Sequence, residues 1–541
     1  MAVWPAIQKL MHDKASVVFP LLSLIGLCIY SVYTYAQNRR KLPLPPKPRG
    51  LPMLGNTIDF VKAAKKQEIH LLLQKWAEQY GEVMRVQVGP MTSYYMNSDQ
   101  AVKALFDKSS AQTSERPRWI VSNEQLCNKW NVLLLPASDA RWKLQRKLVH
   151  SEMTSVPMSD AGVPFLHFET AKFLHEVAHD PHAGTNYQDL WTQVGRYTYS
   201  NFAMQAFGFS IDTAADDRIQ YIHETGARQI FGTLPGSHIV DILPILDRLP
   251  LWLKPWERSA RAHFLKDLQW CRNHMVQVQK EDNPHSNFSM LKRILADEKR
   301  LGISSNDEAA FLSLQLIIGA ADTSRMSTWS FLEAMMIYPE VLRRGQELLD
   351  AVVGDRVPEW EDLKSLPYVR CLMKEVWRWR PPVALGHPHT TTRELVYKGM
   401  RIPTGSRLHL NAWAIHHSPS RHSDPEIFDP TRYEDDTLTS QQSANLPDPT
   451  KRDHFAFGAG RRICPGLHVA ERSLGVAIMR ILWAFDIGIA PRAKMPLNPS
   501  DYRGFMPGNP GADLPVTLTV RTERKRQLID AYWAEQQAKG Y

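Results

Sequence analysis

The chain has 541 residues, 43% hydrophobic, 22% charged and 10% aromatic, ordinary globular proportions that exclude wholesale disorder, collagen and coiled coil. Lys plus Arg outnumber Asp plus Glu by 65 to 56, a formal +9. This excess is mild and scattered, so no nucleic-acid partner is expected, and the short cluster Arg524-Lys525-Arg526 reads as a solvated tail. The five cysteines, Cys28, Cys127, Cys271, Cys371 and Cys464, are widely spaced with no CxxC pair. They argue against a disulfide framework or a cysteine zinc site and for a reducing compartment.

Residues 1–15 form a short N-terminal tail. Ser16 to Ala36 carry no charge over 21 residues, enough for one helix across ~30 Å of hydrocarbon. Tyr30, Tyr33 and Tyr35 sit at one end, followed by Arg39, Arg40 and Lys41, so the positive-inside rule puts the C-terminal side in the cytosol. Residues 16–36 are therefore expected to be a single transmembrane anchor. The rival reading, a cleaved signal peptide, has only the weak site Thr34-Tyr35-Ala36. Residues 37–55 are basic and rich in proline, which forbids helix and favours a stiff hinge. Residues 56–541 are expected to form one catalytic domain.

In that domain, helical periodicity covers about Ile69–Tyr80, Ser138–Met153, Pro255–Gln279, Asn306–Tyr338, Pro339–Val353, Pro367–Arg380 and Leu467–Phe485. Strand patterns cover Val83–Val88, Leu395–Ile402, Arg407–Leu410 and Val516–Val520. The fold class is mainly α with small β-sheets. GxGxxG, GxxxxGK and GxSxG loops are absent, which leaves nucleotide-binding and serine-hydrolase readings without support.

Ser305 and Glu308 form a capping box before a long apolar helix that Pro339 stops. Its apolar residues lie on every side, so it is buried, and Asp322, Thr323 and Ser324 stand out as polar groups that need partners. Thr323 can return its hydroxyl to the carbonyl of Gly319. Gly319, Ala320 and Ala321 keep the adjoining wall free of bulk, so a small ligand fits against it.

Residues 457–466 read FGAGRRICPG. Gly458 and Gly460 permit a tight loop, and Pro465 sets Cys464 at the mouth of a helix, where backbone N–H groups and the dipole favour a thiolate. Such a thiolate is an axial ligand for haem iron. Phe457, Gly460, Arg462, Cys464 and Gly466 match F-x-x-G-x-R-x-C-x-G at every fixed place, a chance event in roughly one chain in ten thousand of this length.

On these residues the chain resembles the cytochrome P450 family of haem-thiolate monooxygenases, and the resemblance runs from the proline hinge to near Val520. Trp142 and Arg146 resemble the helix motif that binds a haem propionate, and His389 the strand histidine that reaches one. Gly319 to Ser324 resembles the oxygen-activating groove. Glu375 and Arg378 resemble the structural helix pair that Arg432, in Pro430-Thr431-Arg432-Tyr433, joins. Arg116 is a weaker match to a further propionate contact. Ala320 stands where glycine is commoner, and Thr431 where glutamate is.

The resemblance implies a cytochrome P450 fold with haem b (iron protoporphyrin IX) held through Cys464, the metal ligand. Phe457, Arg462 and Gly466 complete the cofactor loop, and Asp322 and Thr323 are the catalytic proton relay for O–O cleavage. It implies electrons from NADPH-cytochrome P450 reductase, with cytochrome b5 as an alternative donor, a lipophilic small-molecule substrate, and an endoplasmic reticulum membrane location facing the cytosol. The overall look, with its anchor and C-terminal extension, resembles fungal secondary-metabolism enzymes. Lys143, Lys147 and Arg461 would form a basic dock for the reductase. The alternatives are a membrane haem binding or sensing protein and a reductase-independent isomerase or dehydratase of the same family. The Asp322-Thr323 pair counts against the second, and the absence of a second axial ligand in Gly319–Ala321 against the first.

Overall fold

The computed structural model describes residues 42–180, 187–234, 236–280, 284–297, 299, 302–490 and 514–540. The tail, the anchor segment 16–36 and the start of the hinge lie outside them. Among the described residues no helix is long and apolar enough to cross a membrane. Pro46–Thr392 and Gly405–Tyr541 form the larger unit, and Arg393–Thr404 with the chain up to Pro45 the smaller.

In the larger unit, Ile69–Tyr80 folds as α1 because Ile69, Leu73 and Trp76 bury on one face. Gly81, at φ 84°, ends it, and β1 (Val83–Val88) and β2 (Met91–Met96) follow as an antiparallel hairpin. The hinge residue Pro46 accepts a hydrogen bond from the Arg85 N–H at 2.9 Å, so the proline segment is secured to β1 from there on. The periodicity over Ser138–Met153 resolves into α2 (Ala140–Val149), capped by Asp139, and a wider turn over His150–Thr154. Four further helices follow: α3 (Val163–His179), α4 (Tyr187–Ala206), α5 (Asp217–Phe231) and α6 (Pro255–Lys280). Of these only α6 was anticipated from the sequence.

The long helix α7 (Asn306–Ile337) has 32 residues and so spans ~48 Å. Ser305 Oγ accepts from the Glu308 N–H at 3.1 Å, as a cap should. The Glu308 carboxylate does not return to Ser305. It accepts from the Ser304 N–H and from the side-chain amide of Gln145 on α2, so only half of the expected box forms. Phe311, Leu312, Leu314 and Ile317 bury in one core, and Trp329, Phe331, Leu332 and Met335 in a second. Pro339 then opens α8 (Pro339–Val352), followed by α9 (Pro367–Trp379).

β3 (His389–Thr390) pairs antiparallel with the strand Arg407–Leu410, which lies parallel to β2, giving the four-stranded sheet of this unit. In the smaller unit, Leu395–Ile402 is not one strand but a hairpin of β4 (Leu395–Tyr397) and β5 (Met400–Ile402). Lys398 and Gly399, at φ 45° and 76°, reverse the chain. Arg407–Leu410 is accordingly β6. The buried helix α10 (Leu467–Ala484) leads into β7 (Phe485–Ile489), which pairs with β8 (Val516–Val520).

The basic tail is also corrected. Arg524-Lys525-Arg526 opens a helix, α11 (Glu523–Ala538). Lys525 is buried against the Trp483 ring and pairs with Asp350 at 2.8 Å, and Arg526 donates to the Ala178 carbonyl.

Glu375 and Arg378 are both fully buried on α9. Arg378 Nε and Nη2 meet the two carboxylate oxygens at 2.6 and 2.7 Å. Removing one member of such a pair strands the other charge away from water. Glu375→Gln is expected to cost about 3–5 kcal/mol of stability, read as a lowered midpoint in chemical denaturation. An unchanged midpoint would mean the pair is not sealed from solvent.

Candidate functional site

The cysteine loop is built by local backbone demands. Gly458 and Gly460 take φ 79° and 67°, and a Cβ on Gly460 would run into the carbonyl of Phe106. The Cys464 N–H closes the loop on Phe457 O at 2.9 Å. Helix α10 begins only at Leu467, with Gly466 as its cap, so the cysteine precedes the helix rather than opening it. Burial pushes the Cys464 thiol up, while the Gly466 N–H and Arg146 act the other way without overcoming it. The backbone N–H does favour the thiolate as expected, and burial is the larger opposing effect. A coordinated metal cation would deprotonate the thiol outright.

Cys464 lines a cavity of about 1170 Å³, and Gly319, Ala320, Asp322 and Thr323 of α7 line it too. This exceeds the ~300–1,000 Å³ of an ordinary small-molecule pocket, leaving space for a prosthetic group beside a substrate. Thr323 Oγ1 donates back to Gly319 O at 3.0 Å and approaches Ala320 O at 3.2 Å, so the hydroxyl is satisfied within the helix and keeps its lone pairs for a ligand. Asp322 is partly buried and held on both carboxylate oxygens. Its Oδ2 meets His223 Nδ1 of α5 at 2.8 Å, and its Oδ1 meets Arg325 at 2.9 Å. Burial raises its pKa, but His223 and Arg325 more than offset that and hold it below the usual carboxylate range. His223 is half exposed.

Arg116, Arg146, Arg462, Trp142 and His389 also line the cavity. Arg462 gives Nε to Ser114 O at 2.9 Å and Nη2 to Leu135 O at 2.6 Å, and stacks 4.1 Å over Trp142. Arg116 donates to Leu133, His387 and Pro388 carbonyls, and Arg146 to Ile463 O at 2.7 Å. None of the three guanidiniums has a carboxylate partner among the described residues. Burial, then mutual repulsion, brings Arg462 down to about 8 and Arg116 to about 9. His389 Nδ1 lies 2.7 Å from Thr113 O, and its pKa is driven far below the ordinary histidine value by burial and by Arg116. Arg462 Nη1 and Trp142 Nε1 are buried with no partner among the described residues. This donor set calls for a buried dianion, and haem, with two propionates beside an iron for Cys464, fits it.

Phe457 also faces the cavity, its ring edge-on to Trp377 at 4.9 Å. Glu375, Arg378 and Arg432 do not line it. Arg432 Nε lies 3.5 Å from Glu375 Oε1 and the Asp429 N–H donates to that oxygen at 2.8 Å, so the three act on the loop behind the site. Lys143, Lys147 and Arg461 are all exposed.

Sequence reasoning did not anticipate α5, which supplies His223, Ala227, Ile230 and Phe231 to the cavity. Its signal was present in the Asp216 cap and in the strongly one-sided pattern of apolar residues. Nor did it find a buried amide cluster in the lining. Asn131 donates to Gln315 at 2.7 Å and lies near Gln229, while the Gln229 and Gln315 amide nitrogens have no partner. Phe202, Pro382 and Val383 line the cavity as well.

The family model described as Cytochrome P450 matches residues 45–516. A cytochrome P450 monooxygenase of Gibberella fujikuroi is 53% identical over 518 residues, 94% of each chain. The monooxygenase virE of Hypocrea virens is 35% identical, covering 83% of this chain and 80% of its own. The monooxygenase verL of Clonostachys rogersoniana is 32% identical, covering 97% and 96%. With the thiol loop, the cationic cradle and the helix wall around one cavity, these likenesses establish that the chain belongs to the cytochrome P450 family of oxidoreductases, which bind haem b through a cysteine thiolate.

Proposed function

We propose that this protein is a haem-thiolate monooxygenase that inserts one oxygen atom of O2 into a lipophilic small molecule of fungal secondary metabolism, with electrons from NADPH delivered by a membrane-bound reductase. The observation that carries the reading is that Cys464 and the Asp322-Thr323 pair line the same cavity. Cys464 would ligate the iron, and Arg116, Trp142, Arg146, His389 and Arg462 would hold the propionates. The bound haem supplies the redox and oxygen chemistry.

The chain's residues do the rest. Thr323 accepts a hydrogen bond from a water or ligand in the groove while its own proton rests on Gly319 O. Asp322 holds the next position, and His223, half exposed and hydrogen-bonded to it, is its link to solvent. The apolar lining excludes water and binds the lipophile. The Asn131, Gln229 and Gln315 amides favour a substrate that carries one hydrogen-bonding oxygen. The exposed Lys143, Lys147 and Arg461 suit an acidic electron donor, NADPH-cytochrome P450 reductase or cytochrome b5. The alternatives, a haem sensor and a reductase-independent isomerase, give no role to the polar set Thr323, Asp322 and His223. The uncharged run 16–36 supports a single-pass anchor in the endoplasmic reticulum membrane, with the catalytic body in the cytosol.

Cys464→Ser is expected to abolish the red-shifted Soret band of the reduced carbon monoxide complex, and a variant that keeps that band would remove Cys464 as the ligand. Thr323→Ala should retain haem and substrate binding but lower the product formed per NADPH and raise peroxide release. Asp322→Asn and His223→Ala should instead slow turnover, by up to ~10²–10⁴-fold for a lost proton-transfer group. Equal coupling in Thr323→Ala and the parent, in a reductase-reconstituted assay, would make the groove structural. Deleting residues 1–36 should move much of the protein from the membrane to the soluble fraction on sedimentation. An unchanged distribution would locate membrane attachment elsewhere.

A further inference from the structure

On the far side of α3, away from the cavity-lining residues, three metal-ligating side chains converge. His175 and His179 lie one turn apart on α3, in the sequence His175-Glu176-Val177-Ala178-His179. Asp530 of α11 reaches both, with Oδ1 3.0 Å from His175 Nδ1 and 2.7 Å from His179 Nε2. All three ligand atoms lie within 4.8 Å of one another.

The spacing of the two histidines is the one that lets imidazoles on a single helix face share a divalent ion. Tetrahedral Zn²⁺ with Zn–N near 2.0–2.1 Å sets its ligands ~3.3 Å apart. The two short contacts would therefore have to open by only a few tenths of an ångström. The side chains of His175, His179 and Asp530 are 34%, 45% and 41% exposed, so an ion can enter from solvent and keep water as its fourth ligand.

The surroundings argue for a structural role. Glu176, the residue that would serve as base in a hydrolytic site of this spacing, is occupied: it accepts from Arg196 Nε at 2.9 Å, and Arg196 also holds the buried Glu169. Helix α11 is already seated on α3 around the cluster. Trp533 stacks on His175 and packs on Phe168, and Arg526 donates to Ala178 O. An ion here would join residues 351 positions apart in the chain and lock the C-terminal helix to the body.

We propose that His175, His179 and Asp530 form a divalent-metal site, suited to Zn²⁺ by its two imidazoles and one carboxylate, that clasps α11 onto α3 and takes no part in oxygen chemistry. The plainer reading is that Asp530 only accepts hydrogen bonds from the two rings.

The test uses the full-length, haem-loaded protein, stripped with chelator and titrated with Zn²⁺ by calorimetry. The parent should bind one equivalent more than His179→Gln or Asp530→Asn, with the carbon monoxide spectrum unchanged in all three. Zn²⁺ should also slow amide exchange across Glu523–Ala538 in the parent and not in the variants. Exchange on the parent alone decides the matter should a variant lose its haem. Equal Zn²⁺ stoichiometry in parent and variants, or exchange in α11 that Zn²⁺ leaves unchanged, would overturn the proposal.

Discussion

The site depends on one buried charge pair that does not touch it. Glu375 and Arg378 are sealed from solvent, and taking both out of water costs several kcal/mol per ion before their attraction offsets it. The pair is tolerated because the guanidinium N–H groups of Arg378 are all used and Glu375 gains a backbone donor besides. Arg378 donates to the carbonyls of His416, Pro425 and Ile427. Glu375 accepts from the Asp429 N–H and faces Arg432. These bonds fix where the segments around 416 and 425–432 run. His416 then accepts the Phe455 N–H on its ring at 2.8 Å, and Phe455 leads directly into the cysteine loop. On the same helix, Trp377 packs against Phe457. The position of Cys464 is thus set from α9 outward. This is why a lysine could not replace Arg378: only a planar fork can grip the carboxylate and several carbonyls together.

The floor of the cavity shows the opposite arrangement. Arg116, Arg146 and Arg462 are brought together with carbonyl partners but no carboxylate. Burial lowers the pKa of all three, and repulsion from neighbouring arginines lowers Arg116 and Arg462 further. A core built for stability alone would not place three guanidiniums beside an unpartnered indole N–H. The arrangement makes sense as a preorganised receptor whose missing anionic partner is delivered with the prosthetic group. Fold and ligand then share the electrostatic load, and the polypeptide by itself is the less favourable half of the complex.

What the sequence made legible was local. The cysteine loop could be read because its glycines, its proline and its ligand lie within ten residues, and α7 because an apolar pattern on all sides leaves burial as its only outcome. Glu375 and Arg378 were legible as a pair by spacing, and as a buried pair through the family resemblance. The failures are contacts across long separations. His223 pairs with Asp322 99 residues away, and Asn131 with Gln315 184 away, and no spacing rule reports on either. The Leu395–Ile402 stretch was misread because Lys398-Gly399 is an unusual hairpin turn inside an alternating pattern. The basic residues at 524–526 looked solvated because composition cannot show that Asp350 and Trp483 await Lys525.

The polar groups of α7 show how a buried helix keeps reactive chemistry without losing stability. Thr323 returns its proton to the turn below it, so its hydroxyl carries no unmet donor when the groove is empty. Asp322 is harder to accommodate, since a lone buried carboxylate would become protonated. Arg325, one turn on, supplies a charge at 2.9 Å, and that guanidinium is itself stacked 4.0 Å over Trp191. His223 covers the other oxygen from a separate helix. The acid is held ionised by groups that differ in permanence: Arg325 is fixed in the same helix, whereas the His223 contact exists only while α5 lies against α7. Of these partners only the half-exposed histidine can bring a proton from solvent, because a guanidinium stays charged and Tyr199, which also bonds the acid, is buried. His223 therefore serves both the ionisation and the proton supply of Asp322, whereas Arg325 serves the ionisation alone.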